Sequence, residues 1–267
     1  MGQRLRGVGA ITLDFGNTLV PVSRAGLRAV TERTAATVAD ALGLADPAVF
    51  RTAWAEERDR QFREEVPELR EMDLHQRAIR ILARLRGMAP PAPDVRWDDA
   101  AAGRLADPAE VDAIVEAYSR TFVEAMPPAP AASEVLATLA GRGFRVAILS
   151  NWPLAATIDR YAVAAGWDRH LAGIFVSQRI GVIKPHPAIF AFAADALGTA
   201  AGAILHVGDD WAADVVGARG AGFRVAYLRD HQDDTPLPTS DRSTDVTPDL
   251  ELDRLADLPS RVADPTA

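Results

Sequence analysis

GVGAITLDFGNTLV (residues 7–20) is a short apolar run entered through glycines and left through Asp14 and a Gly-Asn pair. Such a run predicts a buried strand followed by a turn. Three later apolar stretches end in a similar way. FRVAILS (144–150) runs into Ser150-Asn151, AGIFVS (172–177) is soon followed by Lys184-Pro185, and AILHVGD (203–209) runs into Asp209, Asp210 and Asp214. Helical patterns separate them: SEVLATLAGRG (133–143), PLAATIDRYAVAAG (153–166), HPAIFAFAADALG (186–198) and WAADVVGARG (211–220). The third has proline at its start and glycine at its end, the usual punctuation of a helix. FRVAYL (223–228) is a further strand, 229–245 reads as a polar, proline-bearing loop, and PDLELDRLADLP (248–259) suits an edge strand and short helix. Strand–helix units repeated in this order predict an α/β fold with a doubly wound parallel sheet.

The alternation is interrupted once. Residues 21–126 carry long helical patterns rich in Arg and Glu. Asp46-Pro47 opens one helix with an N-cap and an N1 proline. LHQRAIRILARLRG (74–87) is another, and Asp107-Pro108 opens a third, with Glu110 placed for a capping box. PPAPDVRWDDAAAGR (90–104) reads as a connection. An interruption of about 100 residues is too long for an ordinary loop. The expected organisation is therefore an α/β core from 1–20 and 127–262, an all-helical domain at 21–126 lying over the carboxyl ends of the strands, and a tail at 263–267.

Composition excludes several classes. With 48% hydrophobic and 25% charged residues, the 267-residue chain can bury a sizeable core. A formal charge of −8 leaves no basic surplus to neutralise phosphates, against a general nucleic-acid binder. The absence of cysteine removes disulfides, thiolate catalysis and cysteine-bound metal. No apolar run is long enough to span a membrane. The first residues are a poor signal peptide, with Asp14 where a cleavage region would lie. The expectation is a soluble cytoplasmic protein.

In a parallel sheet, successive strand ends lie side by side, so the four polar clusters can meet in one crevice. Asp14 can attack phosphorus as a nucleophile. Asp14 and Asp209 suit Mg²⁺, a hard ion that prefers oxygen ligands. Lys184 would offset the remaining negative charge, and Ser150 and the Asn151 N–H would hold phosphate oxygens. Asp210 and Asp214 would orient metal-bound waters or Lys184 from behind. Each cluster alone reads as a turn, an N-cap or a solvated loop. Together and in this order they point to phosphoryl chemistry.

The set DFGNTLV (14–20), ILSNW (148–152), GVIKPHPAIF (181–190) and GDDWAAD (208–214), with GARGAG (217–222) after it, resembles the haloacid-dehalogenase-like hydrolase superfamily. The resemblance covers nearly the whole core. It implies Asp14 as nucleophile, Ser150 and Lys184 around the transferred group, and Mg²⁺ held by Asp14, the Gly16 carbonyl and Asp209. It also implies that 21–126 is a helical cap. One departure stands out. Phosphatases of this family usually carry an Asp two residues after the nucleophile as proton donor, and here that residue is Gly16. General acid–base help is worth about 10²–10⁴-fold, so alkyl phosphates should suffer most and acyl or aryl phosphates less. Gly16→Asp is expected to raise alkyl-phosphate turnover unless glycine holds a backbone conformation that Asp cannot share. His75 or an acidic residue of the cap is the place to look for a substitute acid.

The expected activity is thus Mg²⁺-dependent hydrolysis of a phosphorylated small molecule. Two rivals stay open: a metal-independent dehalogenase with Asp14 attacking carbon, and a catalytically weak binding or regulatory protein on the same scaffold. Neither substrate identity nor oligomeric state is legible. Among the histidines, His206 reads as a hydrogen-bonded core residue, His186 as a helix start, and His170 and His231 lack zinc spacing. Trp152 and Trp211 either line the mouth of the site or pack beside it.

Overall fold

The computed structural model describes residues 4–229, 234–243 and 245–265. His231 lies outside the described residues. Among the described residues the strands are β1 (Ala10–Leu13), β2 (Arg145–Ser150), β3 (Gly173–Val176), β4 (Ile204–Gly208), β5 (Arg224–Leu228) and β6 (Leu250–Leu252). They form one parallel sheet in the order β3-β2-β1-β4-β5-β6. The order reverses beside β1, and a crevice opens at such a switch point. The doubly wound α/β fold is the one expected.

Period-two alternation assigns each side chain to a face. Ile11 and Leu13 of β1, Val146 and Ile148 of β2, and Leu205 and Val207 of β4 join one apolar cluster. Ala10, Ala147, Leu149 and Ile204 join a second cluster on the other face, with Phe190 and Phe223. Thr12 and His206 also share that second face and bond each other, Oγ1 to Nδ1, at 2.9 Å. His206 is therefore a satisfied core histidine.

Between β1 and β2 run α1 (Arg24–Leu42), α2 (Pro47–Glu65), α3 (Leu74–Leu85), α4 (Asp99–Gly103) and α5 (Pro108–Ala125). Side-chain caps explain their starts. Ser23 Oγ accepts from the Gly26 N–H at 3.0 Å, Asp46 Oδ1 from Ala48 at 2.8 Å, Asp73 Oδ1 from His75 at 2.7 Å and Asp107 Oδ1 from Ala109 at 2.8 Å. Two details differ from expectation. The 90–104 connection contains the short helix α4, begun by Asp98. The Glu110 side chain does not close a capping box but pairs with Arg86 of the neighbouring segment.

The remaining helices are α6 (Ala132–Gly141), α7 (Ala155–Ala164), α8 (Ser177–Ile180), α9 (Pro187–Leu197), α10 (Gly217–Gly220) and α11 (Leu258–Arg261). Residues Trp211–Val216, expected as ordinary helix, form a π-helical turn leading into α10. Helices α1, α2, α3 and α5 pack on one another, and α5 also packs on α7. Their apolar residues Phe50, Trp54, Ile81 and Phe122 belong to the same cluster as the first face of the sheet. The segment before α3 reaches the strand ends directly. Ile183 N–H donates to the Leu69 carbonyl at 3.0 Å and Leu74 N–H to Pro153 at 2.9 Å. No described helix is long and apolar enough to cross a membrane.

Candidate active site

Asp14 lies just beyond β1 on the face that carries Thr12. The Lys184 ammonium donates to Asp14 Oδ1 at 2.7 Å, to Asp214 Oδ1 at 2.6 Å and to the Leu149 carbonyl at 3.0 Å. All three ammonium protons are thereby used. Lys184 is itself held by Asn151, whose Oδ1 accepts from the Lys184 N–H at 2.7 Å and whose Nδ2 donates to the Lys184 carbonyl at 3.0 Å. The Asn151 side chain thus grips the lysine backbone.

Asp214 is fully engaged. Its Oδ1 also meets His206 Nε2 at 3.0 Å, and its Oδ2 accepts from the Asp210 N–H at 3.0 Å. Gly208 makes room for it at the end of β4. The Asp210 side chain is occupied elsewhere: it accepts from Ala213 N–H at 2.7 Å at the start of the π-helical turn and from Ser240 Oγ at 3.0 Å. It therefore anchors the β5–β6 connection, whereas Asp214 touches Lys184.

Asp209 is buried near the other two carboxylates. Among the described residues, ligand oxygens of Asp14, Asp209 and Asp214 lie within 4.8 Å of one another. Thr18 Oγ1 donates to Asp209 Oδ1 at 3.1 Å. The second oxygens of Asp14 and Asp209 have no hydrogen-bond partner among the described residues. Burial raises the Asp14 pKa against the pull of Lys184. Burial, with Asp214 and Asp14 adding repulsion, holds that of Asp209 well above the carboxylate range. For Asp214 burial acts upward too, but Lys184 and His206 outweigh it and lower the pKa. For Lys184, burial opposes the charge, and Asp14 and Asp214 together overcome it and raise the pKa. The lysine is thus held charged, and Asp14 and Asp209 each keep one carboxylate oxygen that no described residue bonds. That donor set fits Mg²⁺.

Ser150 Oγ is buried and has no partner among the described residues. An orphaned hydroxyl costs free energy unless something binds it. Gly16 does not adopt positive φ, so its backbone would accept a side chain. A Cβ on Gly16 would lie 2.6 Å from Leu237 Cδ1, the tip of a half-buried side chain that would have to turn aside, and in ordinary contact with Trp152 Cζ3 at 3.5 Å. Trp152 is buried edge-on against Phe15 and Phe122. Trp211 packs against Tyr227, and its Nε1 donates to Ser243 at 3.1 Å.

His186 caps α9, its Nδ1 accepting from Ala188 N–H at 3.2 Å. His170 lies in a short 3-10 turn. His75 is half-exposed on the first turn of α3, with Asp73 as its partner. Sequence reading missed Thr18 and Leu237. Thr18 sits inside the first motif, where a hydroxyl four residues beyond a strand-end carboxylate was a usable signal. Leu237 gave none, being one apolar residue in a polar loop.

Comparison with known proteins bears on the family and the fold. The chain is 32% identical over 154 residues to a glyceraldehyde 3-phosphate phosphatase of Methanopyrus kandleri, covering 57% of this chain and 64% of that protein. It is 32% identical over 129 residues to a phosphoserine phosphatase of Thermus thermophilus, covering 48% and 49%. The matched region thus spans less than two thirds of either relative. Among solved structures, a 2-haloacid dehalogenase from Pseudomonas syringae superposes with a TM-score of 0.63 at 20% identity, covering 95% of this chain and 97% of that one. A phosphatase from Thermococcus onnurineus gives 0.60 at 16% identity, covering 97% and 100%. At these identities the structural likeness speaks to the fold alone. The family model for haloacid dehalogenase-like hydrolases matches residues 8–222, which contain every residue of the Asp14–Lys184–Asp214 cluster, and the chain belongs to that family.

Proposed function

We propose that the chain is a Mg²⁺-dependent phosphohydrolase acting on a small phosphorylated molecule through an aspartyl-phosphate on Asp14. The observation that carries this reading is the Lys184 ammonium bridging Asp14 and Asp214, with Asp209 beside them. Lys184 orients Asp14 by binding one oxygen and leaves the other free to attack phosphorus. Asp214 keeps Lys184 charged and aimed. Ser150 Oγ and the Asn151 N–H hold oxygens of the transferred group. Asp14, the Gly16 carbonyl and Asp209 would hold Mg²⁺, which when bound neutralises the carboxylates and polarises a phosphoryl oxygen. Asp210 serves the site through Ser240 and the loop it tethers. Phosphatase names among the relatives support the substrate class.

Residues 21–126 act in this reading as a cap over a core formed by 1–20 and 127–262. The contacts of Leu69 and Leu74 with the strand-end loops support that role. The cap excludes water and selects the substrate.

The test is a panel of phosphoesters, acyl phosphates and 2-haloacids with and without Mg²⁺, with rapid-quench trapping of phosphoenzyme. Turnover of a phosphate that needs Mg²⁺, and a phosphoenzyme lost in Asp14→Asn, is the expected result. Halide release without metal would establish the dehalogenase instead. Tight phosphate-ligand binding with no turnover would establish a binding protein.

A further inference from the structure

Among the described residues, the buried arginines are Arg60, Arg77 and Arg80, all in the helical segment 21–126. Two of them are tied by their terminal nitrogens. Arg60 donates to the carbonyls of Pro91, Ala92 and Val95 and pairs with Glu64 at 3.6 Å. Arg80 pairs with Glu64 at 3.0 Å and with Asp99 at 2.8 Å. Arg77 differs. Its Nε donates to Gln61 Oε1 at 2.9 Å, and Gln61 is fixed in turn to the Asp73 carbonyl at 2.9 Å. Its two terminal nitrogens bond no described residue, and no described carboxylate forms an ion pair with it. The guanidinium lies over the Trp54 ring, 5.3 Å from the centroid. A buried cation without an anion is costly, and burial pushes the Arg77 pKa down to about 10. Its strongest electrostatic neighbour is Tyr118, ahead of Arg58, Glu71 and Asp59.

Arg77 stands on the first turn of α3, and helix side chains lean toward the N-terminus. That end of α3 is the one fastened to the strand-end loops, Leu74 N–H on the Pro153 carbonyl. A row of rings continues from Arg77 to the candidate site. Trp54 stacks on Tyr118 at 5.5 Å, Tyr118 lies 6.2 Å from Phe122, and Phe122 meets Trp152 edge-on at 5.0 Å. Trp152 directly follows Ser150 and Asn151. The unbonded polar atoms along this row are donors. The Tyr118 hydroxyl has no hydrogen-bond partner among the described residues, and Trp152 Nε1 and Ser150 Oγ are buried without one. The nearby Glu71 carboxylate is turned to other groups, accepting from Ser177 Oγ and from the Met72 N–H at 2.8 Å. Buried donors left unpaired cost free energy until an acceptor reaches them. One guanidinium among neutral donors matches a single negative charge. A carboxylate carries that charge on two oxygens that suit the fork of an arginine, whereas a second phosphoryl group would bring about 1.5–2 charges.

We infer that Arg77, with the Tyr118 hydroxyl beside it, binds a carboxylate of the substrate, so that the molecule hydrolysed is a phosphorylated carboxylic acid held at Asp14 by its phosphoryl group and at Arg77 by its carboxylate. The inference rests on the phosphohydrolase reading, with residues 21–126 as the cap. Arg77 is a specificity-determining residue, and no bond forms or breaks at it. The substrate carboxylate is the anion that the buried guanidinium otherwise does without. A phosphate ester lacking it leaves the cation unpaired and binds by its phosphoryl group alone.

The experiment is calorimetric titration, with Mg²⁺, of the full chain carrying Asp14→Asn, which binds substrate without turning it over. Two matched pairs are compared: 3-phosphoglycerate against glycerol 3-phosphate, and O-phosphoserine against O-phosphoethanolamine. The carboxylate-bearing member should bind tighter by about 10–100-fold in at least one pair, the worth of a hydrogen-bonded charge. Adding Arg77→Met should bring that preference close to one, and adding Tyr118→Phe should narrow it by about 2–10-fold. A merely structural role for Arg77 would weaken both members of a pair together and keep the preference. No carboxylate preference in either pair, or one that survives Arg77→Met, overturns the inference. So does a preference for fructose 1,6-bisphosphate over fructose 6-phosphate that Arg77→Met abolishes, which would put a second phosphoryl group on Arg77. If Arg77→Met does not fold, the paired affinities and Tyr118→Phe decide. Phosphate turnover by wild type is read alongside. Turnover without a carboxylate preference removes this inference alone, whereas a folded wild type that hydrolyses no phosphate removes the phosphohydrolase reading and this inference with it.

Discussion

Gly208 and Asp214 are in direct contact: a Cβ on Gly208 would stand 2.2 Å from the Asp214 carboxyl carbon. The carboxylate that bonds Lys184 occupies the volume that any other residue at 208 would need. Gly208→Ala must therefore displace Asp214 and disturb its bonds to Lys184, His206 and the Asp210 N–H. The expected cost is about 1–3 kcal/mol of overpacking, read from urea unfolding, together with loss of turnover. An unchanged unfolding midpoint would show that Asp214 moves aside freely.

Lys184→Met should destabilise by about 3–5 kcal/mol, because it leaves Asp14 and Asp214 as buried, unpaired carboxylates. The deficit has a pH sign. In wild type the Asp214 pKa is depressed, so its stabilising contribution is present above the ordinary Asp value and is lost as pH falls below it. In the variant both carboxylates take up protons more readily, which relieves their burial. The gap between the two proteins should shrink on acidification. A gap constant with pH in chemical unfolding would contradict the pairing.

Thr18→Val preserves shape and removes the hydroxyl that donates to Asp209. Groups that orient a metal ligand are worth about 10–100-fold in affinity, so calorimetric Mg²⁺ affinity should fall by about that factor. Binding to wild type should also release protons and strengthen with pH, because burial and the neighbouring carboxylates raise the pKa of Asp209. Equal affinity in the variant would remove Asp209 from the proposed ligand set.

Burial raises the Glu71 pKa from its ordinary 4.5 to about 7. Within that window the folded protein holds a proton that the unfolded chain has released, so stability falls as pH rises from 4.5 towards 7. Glu71→Gln removes the dependence. Its melting temperature should exceed that of wild type above the window, and the advantage should vanish at its acid end. A pH-independent difference would mean that the carboxylate stays ionised throughout.

The fold was legible in the chain because it rests on local signals. Apolar runs of strand length, helical stretches with proline and glycine punctuation, and side-chain caps such as Asp46 and Asp73 all lie within a few residues of the elements they define. The meeting of Asp14, Asp209 and Lys184 was legible for a related reason: the two aspartates directly follow β1 and β4, Lys184 lies in the connection after β3, and a parallel sheet brings its strand ends together. Tertiary structure alone decided the rest. Asp210 and Asp214 are alike in sequence, but the π-helical turn sends Asp214 under Gly208 to Lys184 and leaves Asp210 to tether Ser240. His206 became the partner of Thr12 and Asp214 because β4 lies beside β1 in a register that pairs residues 12 and 206. The environment of Gly16 was invisible, since Leu237 lies more than two hundred residues away in a loop without periodicity, and long-range hydrogen bonds such as Asn17–Thr235 and Ser240–Asp210 bring it there. Local chemistry specifies elements and which of their ends carry charge. Which side chain meets which across the sheet depends on packing and register, and those are properties of the whole folded chain.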